Sequence, residues 1–395
     1  MVKTRWILAL AGVTLVAASA HRMAMADGDP IIIGFDMPFS GWFQPIDDGT
    51  VKGAQLAIDD INKAGGVLGR QLKEADYDMK SEPPLGADGA IDLISKGAKL
   101  ILVPSDFDFG GPGANVAQSK NVPVFSGASD SKFGVAGIGS MAYSVSVASQ
   151  PQGALMAEWA YNKKGWKTAY ILIDNTINFT KSLCGNFGDR WKKLAGADNL
   201  LGTDTFLNND PSIATQVTRI QSLPKKPDLI FLCSYVPGGP SAIKQLRAAG
   251  LDQPILTGES MDGDYWLGMA PNLSNFYIAD YGSFAGDDSD KAVNDFYSRF
   301  KAKFGKPADV SYVLRGYSEI EAFAHAATKA KSVDGAKVAA ALDTFKNEPL
   351  VIGPTTFTDK LHIQINRPMS ILEVQQGKYH FIEKYAVKEV PPMQY

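Results

Sequence analysis

Six short loops hold most of the residues that could act on a small molecule. They read Asp36-Met37-Pro38-Phe39-Ser40-Gly41-Trp42-Phe43, Ser105-Asp106-Phe107-Asp108-Phe109-Gly110-Gly111, Ser126-Gly127-Ala128-Ser129-Asp130-Ser131, Asp174-Asn175-Thr176-Ile177-Asn178-Phe179, Ser234-Tyr235-Val236-Pro237 and Gly258-Glu259-Ser260. Together they mix aromatic rings with hydroxyls and carboxylates. Aromatic walls with a few placed polar groups make a small-molecule pocket. A Ser or Asp after a strand is also an ordinary helix N-cap. The argument therefore rests on six loops at one topological position, not on any single residue.

The same residues offer little for catalysis. Asp106, Asp108 and Glu259 are the acids an acid-based enzyme would use. No Walker A, H-E-x-x-H or G-x-S-x-G motif accompanies them. Gly137 to Ala142 fits G-x-G-x-x-A, but it precedes the strand-like Tyr143 to Ser146 instead of opening a helix. His325, His362 and His380 lack metal-ligand spacing and read as surface or helix residues. No catalytic residue, cofactor or metal is expected, although the acids leave open an oxygen-rich site for a hard cation.

The loops follow strands in an alternating pattern. Ile31 to Asp36 is a short apolar run, and Val51, Ala54, Ile58 and Ile61 then recur at helical spacing. Strand patterns at Gln71–Tyr77, Leu100–Pro104 and Val122–Ser126 alternate with helical ones at Ala90–Ile94 and Gly111–Ser119. The alternation restarts after Tyr143 to Ser146, with strands at Thr168–Asp174, Leu201–Phe206, Asp228–Cys233 and Pro254–Thr257. This order predicts parallel, doubly wound sheets, in which ligands sit beyond the carboxyl ends of strands. Helical stretches follow at Asp288–Phe304, Ser311–Ala330 and Asp334–Phe345, then a hairpin around Gln376-Gly377. A chain of 395 residues exceeds one typical core, so two domains are expected.

Lys3 and Arg5, the apolar Trp6–Ala18 and the Ala24-Met25-Ala26 site read as a signal peptide cleaved after Ala26. Its removal with Lys3, Arg5 and Arg22 takes the net charge from −3 to about −6. No basic run exists, so nucleic acid is not an expected partner. Cys184 falls in a predicted helix and Cys233 ends a strand. Outside the cytoplasm they are either a disulfide or two buried thiols.

The segments Ile33–Phe39 with Ser40-Gly41, Gly53–Arg70, Ser126–Ala128, Gln245–Gly250 and Ile352-Gly353-Pro354 give the whole exported chain a familiar cast. It resembles the type I periplasmic solute-binding proteins of the branched-chain amino acid (Leu/Ile/Val-binding) ABC-transporter family. The resemblance implies an α/β fold of two Rossmann-like lobes joined by three hinge crossings, near Ala148, Asp280 and Val351. Lobe 1 would comprise residues 27–148 and 281–350, and lobe 2 residues 149–280 and 351–395. By position, it makes Trp42 an aromatic cap. Phe107 or Asp108 falls where family members often carry Ser. Ala128 and Ser129 become a carboxylate-holding pair, Phe179 and Tyr235 become walls, and Glu259 becomes the partner of an α-ammonium.

This chain departs from that pattern at Asp106, Asp108 and Asp130, which would repel a ligand carboxylate unless turned away. They suit an amine or a hydroxyl-rich donor such as a polyol, or they cap helices and face solvent. The expected function is an exported, monomeric, periplasmic binder of a small solute, served by separate permease and ATPase subunits. A sensor of the same fold, or an acid-rich metal- or polyol-binding variant, is the alternative.

Overall fold

The computed structural model describes residues 28–393. The expected signal peptide, 1–26, lies outside the described residues. The first unit alternates β1 (Ile31–Met37), α1 (Gln44–Lys63), β2 (Leu72–Asp78), α2 (Pro83–Ser95), β3 (Leu100–Val103), α3 (Phe107–Ser119), β4 (Val124–Ser126) and β5 (Ala142–Ser144). The second runs α4 (Ser149–Trp159), β6 (Ala169–Asp174), α5 (Asn178–Ala195), β7 (Leu200–Phe206), α6 (Ala214–Gln221), β8 (Leu229–Cys233), α7 (Gly238–Ala248), β9 (Ile255–Thr257) and β10 (Phe276–Asp280). Then come α8 (Lys291–Phe304), α9 (Tyr312–Ala330), α10 (Gly335–Leu342), β11 (Glu348–Leu350), β12 (Gly353–Thr355), β13 (Met369–Gln375) and β14 (Lys378–Tyr385).

Twelve of these strands form two large sheets, one in each lobe, and β11 and β12 pair separately. The first is wholly parallel, ordered β2-β1-β3-β4-β5. The second is ordered β14-β13-β10-β9-β8-β6-β7, and its β13 and β14 run antiparallel. In each sheet the first strand lies inside. β1 pairs with β3 (Ile33 opposite Leu100) and β6 pairs with β8 (Ile171 opposite Phe231). The strand order therefore reverses beside β1 and beside β6, opening a crevice at their carboxyl ends.

Burial explains why these runs are strands. β3 and β8 are apolar and buried at every position, as parallel strands covered on both faces must be. In the first sheet Leu93, Ile101, Val103, Ala114 and Val124 form one core layer. The other face joins Phe35, Leu102, α1 and α9 into a core that continues through α4 to Phe187 and Phe231 of the second sheet. On the far side of that sheet, Ile230 and Leu232 pack with Ile243 and Leu246 of α7. Cys184 on α5 and Cys233 at the end of β8 are bonded, with Cα atoms 5.9 Å apart, inside the usual range.

Two glycines let α1 and α9 meet with backbones touching. A Cβ at Gly53 would lie 2.0 Å from the Val313 oxygen, and one at Gly316 would lie 1.8 Å from the Thr50 oxygen. This close crossing sets the depth to which the side chain after Leu314 reaches.

Three expectations need correction. α3 starts at Phe107, four residues before the expected Gly111, because the Asp106 carboxylate accepts from the Asp108 N–H and caps the helix. His362 is not a surface residue. It is buried, stacks on Tyr143 with centroids 3.9 Å apart, and its Nε2 lies 2.9 Å from Asp343. The short antiparallel ribbon β11–β12 was not foreseen.

Candidate functional site

A cavity enclosing about 530 Å³ of empty space, its open mouth included, lies between the two sheets. Its walls come from the carboxyl ends of strands on both sides. Trp42, Phe43 and Ile46 follow β1, Ser105, Asp106 and Phe109 follow β3, and Ser129 and Asp130 follow β4. Ile177 and Phe179 follow β6, Tyr235 follows β8, and Glu259 and Ser260 follow β9. Tyr312 and Arg315 of α9 close the inner end.

The aromatic wall spans the cleft. The Trp42 ring is 5.4 Å from Phe109 on its own side and 6.1 Å from Tyr235 opposite. Trp42 is 48 % exposed, whereas Tyr235 is 8 % and Phe179 6 %. Trp42 therefore sits at the mouth with the other two behind it.

The inner end is a dense polar lattice. The Ser129 hydroxyl donates to Glu259 Oε1 at 2.8 Å and accepts from Gln152 Nε2 at 3.2 Å. The Glu259 N–H donates to Gln152 Oε1, and the Tyr312 hydroxyl donates to the Glu259 carbonyl. Arg315 Nη1 donates to Glu259 Oε2 at 3.2 Å and to the Gly127 carbonyl at 3.1 Å. Arg315 Nη2 reaches Thr50 Oγ1, and the guanidinium lies 3.7 Å over the Tyr312 ring. A Cβ at Gly127 would sit 2.2 Å from Arg315 Nε, so only glycine lets this side chain pass.

Charge is distributed unevenly. Arg315 is 1 % exposed. Burial alone would weaken its proton, but Glu259, Tyr312, Tyr281 and Asp47 more than offset that, and it stays charged. Asp47 accepts from the Ser105 N–H at 3.2 Å and from the Ser105 hydroxyl. Burial pushes Asp47 up to about 6 against the pull of Arg315. Asp106 has no such cation among the described residues. Burial, then the neighbouring Asp108, Asp130 and Asp47 charges, push it up to about 7 despite its bond from the Asp108 N–H. Burial also raises Asp130, opposed by the Lys132 N–H and charge.

Of the residues singled out from the sequence, Trp42, Asp106, Ser129, Phe179, Tyr235 and Glu259 line this one cavity. The other three stand apart. Phe107 packs on the core beneath α3. Asp108 is exposed and accepts from Asn178 Nδ2 across the cleft at 3.4 Å. Ala128 is fully buried. Its N–H donates to Ser126 Oγ at 2.9 Å and its carbonyl accepts from Ser144 Oγ. Arg315 was missed. It lies on the helix face shared by Tyr312, Glu319 and Phe323, which apolar spacing assigns to the core. A charged pair at i, i+4 on such a face was the available signal. Among the described residues, no group of three His, Cys, Asp or Glu is placed to hold a metal ion.

Two doubly wound lobes with a cavity at facing switch points define a two-lobed binding protein. The periplasmic binding protein family model matches residues 30–378, and the chain belongs to that family. It is 26% identical over 353 residues to the Leu/Ile/Val-binding protein BraC3 of Rhizobium johnstonii, covering 87% of this chain and 91% of that one. Its fold is similar to LivJ of Streptococcus pneumoniae solved with isoleucine (TM-score 0.79, 22% identity, 91% of this chain and 100% of that one). It is also similar to a solute-binding protein of R. palustris solved with benzoate (TM-score 0.75, 19% identity, 91% and 98%). The chain is thus a solute-binding component of an ABC transporter.

Proposed function

We propose that the cavity between the sheets is where this component takes its solute. Trp42, Phe179 and Tyr235 act as apolar walls, and Asp106, Ser129 and Glu259 as the polar groups around it. The supporting observation is that both sheets turn their switch points, and their aromatic loops, toward one space. A solute touching both sides favours the closed arrangement over the open one. On this reading lobe 1 is 27–148 with 281–350 and lobe 2 is 149–280 with 351–395. The chain is exported after cleavage at Ala26, works as a monomer without chemistry of its own, and hands its load to separate permease and ATPase chains.

The relatives' names point to Leu, Ile and Val, and one structural neighbour holds benzoate. The solute screen therefore spans amino acids, amines, polyols and aromatic acids. In a thermal-shift assay, a true solute at 100 times its Kd adds roughly 2.7 kcal/mol of stability. Tyr235→Ala and Trp42→Ala should each lower its affinity at least tenfold. Unchanged affinity in both variants, with folding intact, would place the solute elsewhere.

A further inference from the structure

Resting on that reading, we infer that the solute is a small organic cation without a carboxylate. Its ammonium lies by Asp106 and Asp130, and its apolar body lies against Trp42, Phe109 and Tyr235.

The pair that the resemblance assigns to a carboxylate is already engaged within the protein. The Ser129 hydroxyl donates to Glu259, and the Ala128 N–H donates to Ser126 Oγ. Arg315 is enclosed, with its Nη groups on Glu259, the Gly127 carbonyl and Thr50 and one face on the Tyr312 ring. Glu259 is equally committed, since Ser129 holds one oxygen and Arg315 the other. The inner end is therefore an ion pair whose Nη groups and carboxylate oxygens are bonded within the protein; Arg315 Nε alone lacks a partner among the described residues, and it lies against Gly127.

What remains toward the cavity is negative. Asp106 and Asp130 line it, and Asp108 stands at its rim. Among the described residues the cation that acts on them is Lys132, which opposes Asp130 but carries its Nζ over the Phe107 ring at 6.0 Å. A carboxylate entering here meets like charge, whereas an ammonium meets two carboxylates. The aromatic rings add to the same preference, because the face of an indole, phenol or benzene ring attracts cations. Trp42 meets Phe109 edge-on at 5.4 Å and faces Tyr235 at 6.1 Å, so the rings form a partial cage beside the acids.

Asp106 gives the preference a pH signature. It is pushed up to about 7 by burial and by Asp108, Asp130 and Asp47. Tyr235, Glu259 and the paired Arg315 line the same cavity, and Lys132 stands behind Asp130. An ammonium binds the ionised acid, so its affinity rises by roughly tenfold from pH 6 to pH 8. A hydroxyl guest accepting from the protonated acid would show the opposite slope.

The test is calorimetry on the exported chain with two matched sets of probes. One set is 3-methylbutylamine, leucine, 3-methylbutanol and 4-methylpentanoate. The other is 2-phenylethylamine, phenylalanine, 2-phenylethanol and 3-phenylpropanoate. The expected result is an amine binding at least tenfold tighter than its three partners, with affinity rising from pH 6 to pH 8. Asp106→Asn, which keeps the α3 cap and is checked for folding by its melting temperature, should flatten that slope. Tighter binding of leucine or phenylalanine, tighter binding of an alcohol with the reverse slope, or no amine binding at all overturns the cation assignment. Amine binding untouched by both Tyr235→Ala and Trp42→Ala overturns the cavity reading instead.

Discussion

Two clusters of buried acids, one helical turn apart along α9, meet the cost of burial by different means. Around Arg315, the carboxylates of Glu259 and Asp47 are matched by a guanidinium. Around Ser311, Asp262 and Asp280 are buried together with no cation beside them among the described residues. The Ser311 N–H donates to Asp262 Oδ2 at 2.6 Å, the Ser311 hydroxyl donates to Asp280 Oδ1, and the Tyr281 N–H bonds Asp280 at 2.8 Å. Burial raises Asp262 far above the usual carboxylate range, with Asp280 adding to it, and raises Asp280 to about 6. In the first cluster two carboxylates share one counter-charge, and in the second a proton is retained. The ion pair adjoins the cavity. The proton pair sits where the chain leaves β10.

The largest effect should come from Arg315→Met. It leaves Glu259 and Asp47 buried without their cation and should cost about 3–5 kcal/mol in denaturant unfolding. Adding Glu259→Gln should recover part of that loss. A cost below about 1 kcal/mol would mean that the two clusters do not differ as described. Ser129→Ala removes the hydrogen bond to the Glu259 carboxylate and the one from Gln152, and should cost about 1.5–3 kcal/mol in chemical unfolding. A larger loss would make the hydroxyl, and not Arg315, the main partner of that acid.

Asp262→Asn should act in the opposite direction. An acid raised in the folded state binds its proton more tightly there than when unfolded. Its stability is complete below the unfolded value near 4 and is lost as pH rises through the folded value. For Asp280 that window closes near 6, and for Asp262 it extends higher. An amide needs no proton and still accepts from Ser311. Asp262→Asn should therefore gain about 1–3 kcal/mol at pH 8 and little at pH 4. A flat difference across thermal melts at the two pH values would break the comparison.

Asp36 sharpens it further, because neither of its carboxylate oxygens has a partner among the described residues. Burial alone pushes it up to about 8. Asp36→Asn should raise stability at pH 9 by about 1–2 kcal/mol relative to pH 4, read from chemical unfolding curves.

Much of this was legible in advance. The apolar runs that became β1, β3, β6 and β8 have no other stable use than strands covered on both faces. The alternation with helical spacing made the sheets parallel. It also placed Trp42, Ser129, Tyr235 and Glu259 at strand ends. The start of α3 was obscured because Ser105 to Gly111 read as a loop, while the Asp106 cap that makes Phe107 the first helical residue is a single residue. Arg315 was hidden for a similar reason. Charge in a helix reads as solvent-facing until something is known to lie opposite it.

The sequence by itself determined the local order of elements and the chemical character of each strand-end loop, because these depend on neighbours a few residues away. Only the tertiary structure decided which acids are neutralised and how. That depends on the backbone contact of Gly53 and Gly316 with α9 and α1, and on the missing Cβ at Gly127. Those contacts join positions far apart in the chain, and they alone decide whether a buried carboxylate meets a guanidinium, a proton or a guest.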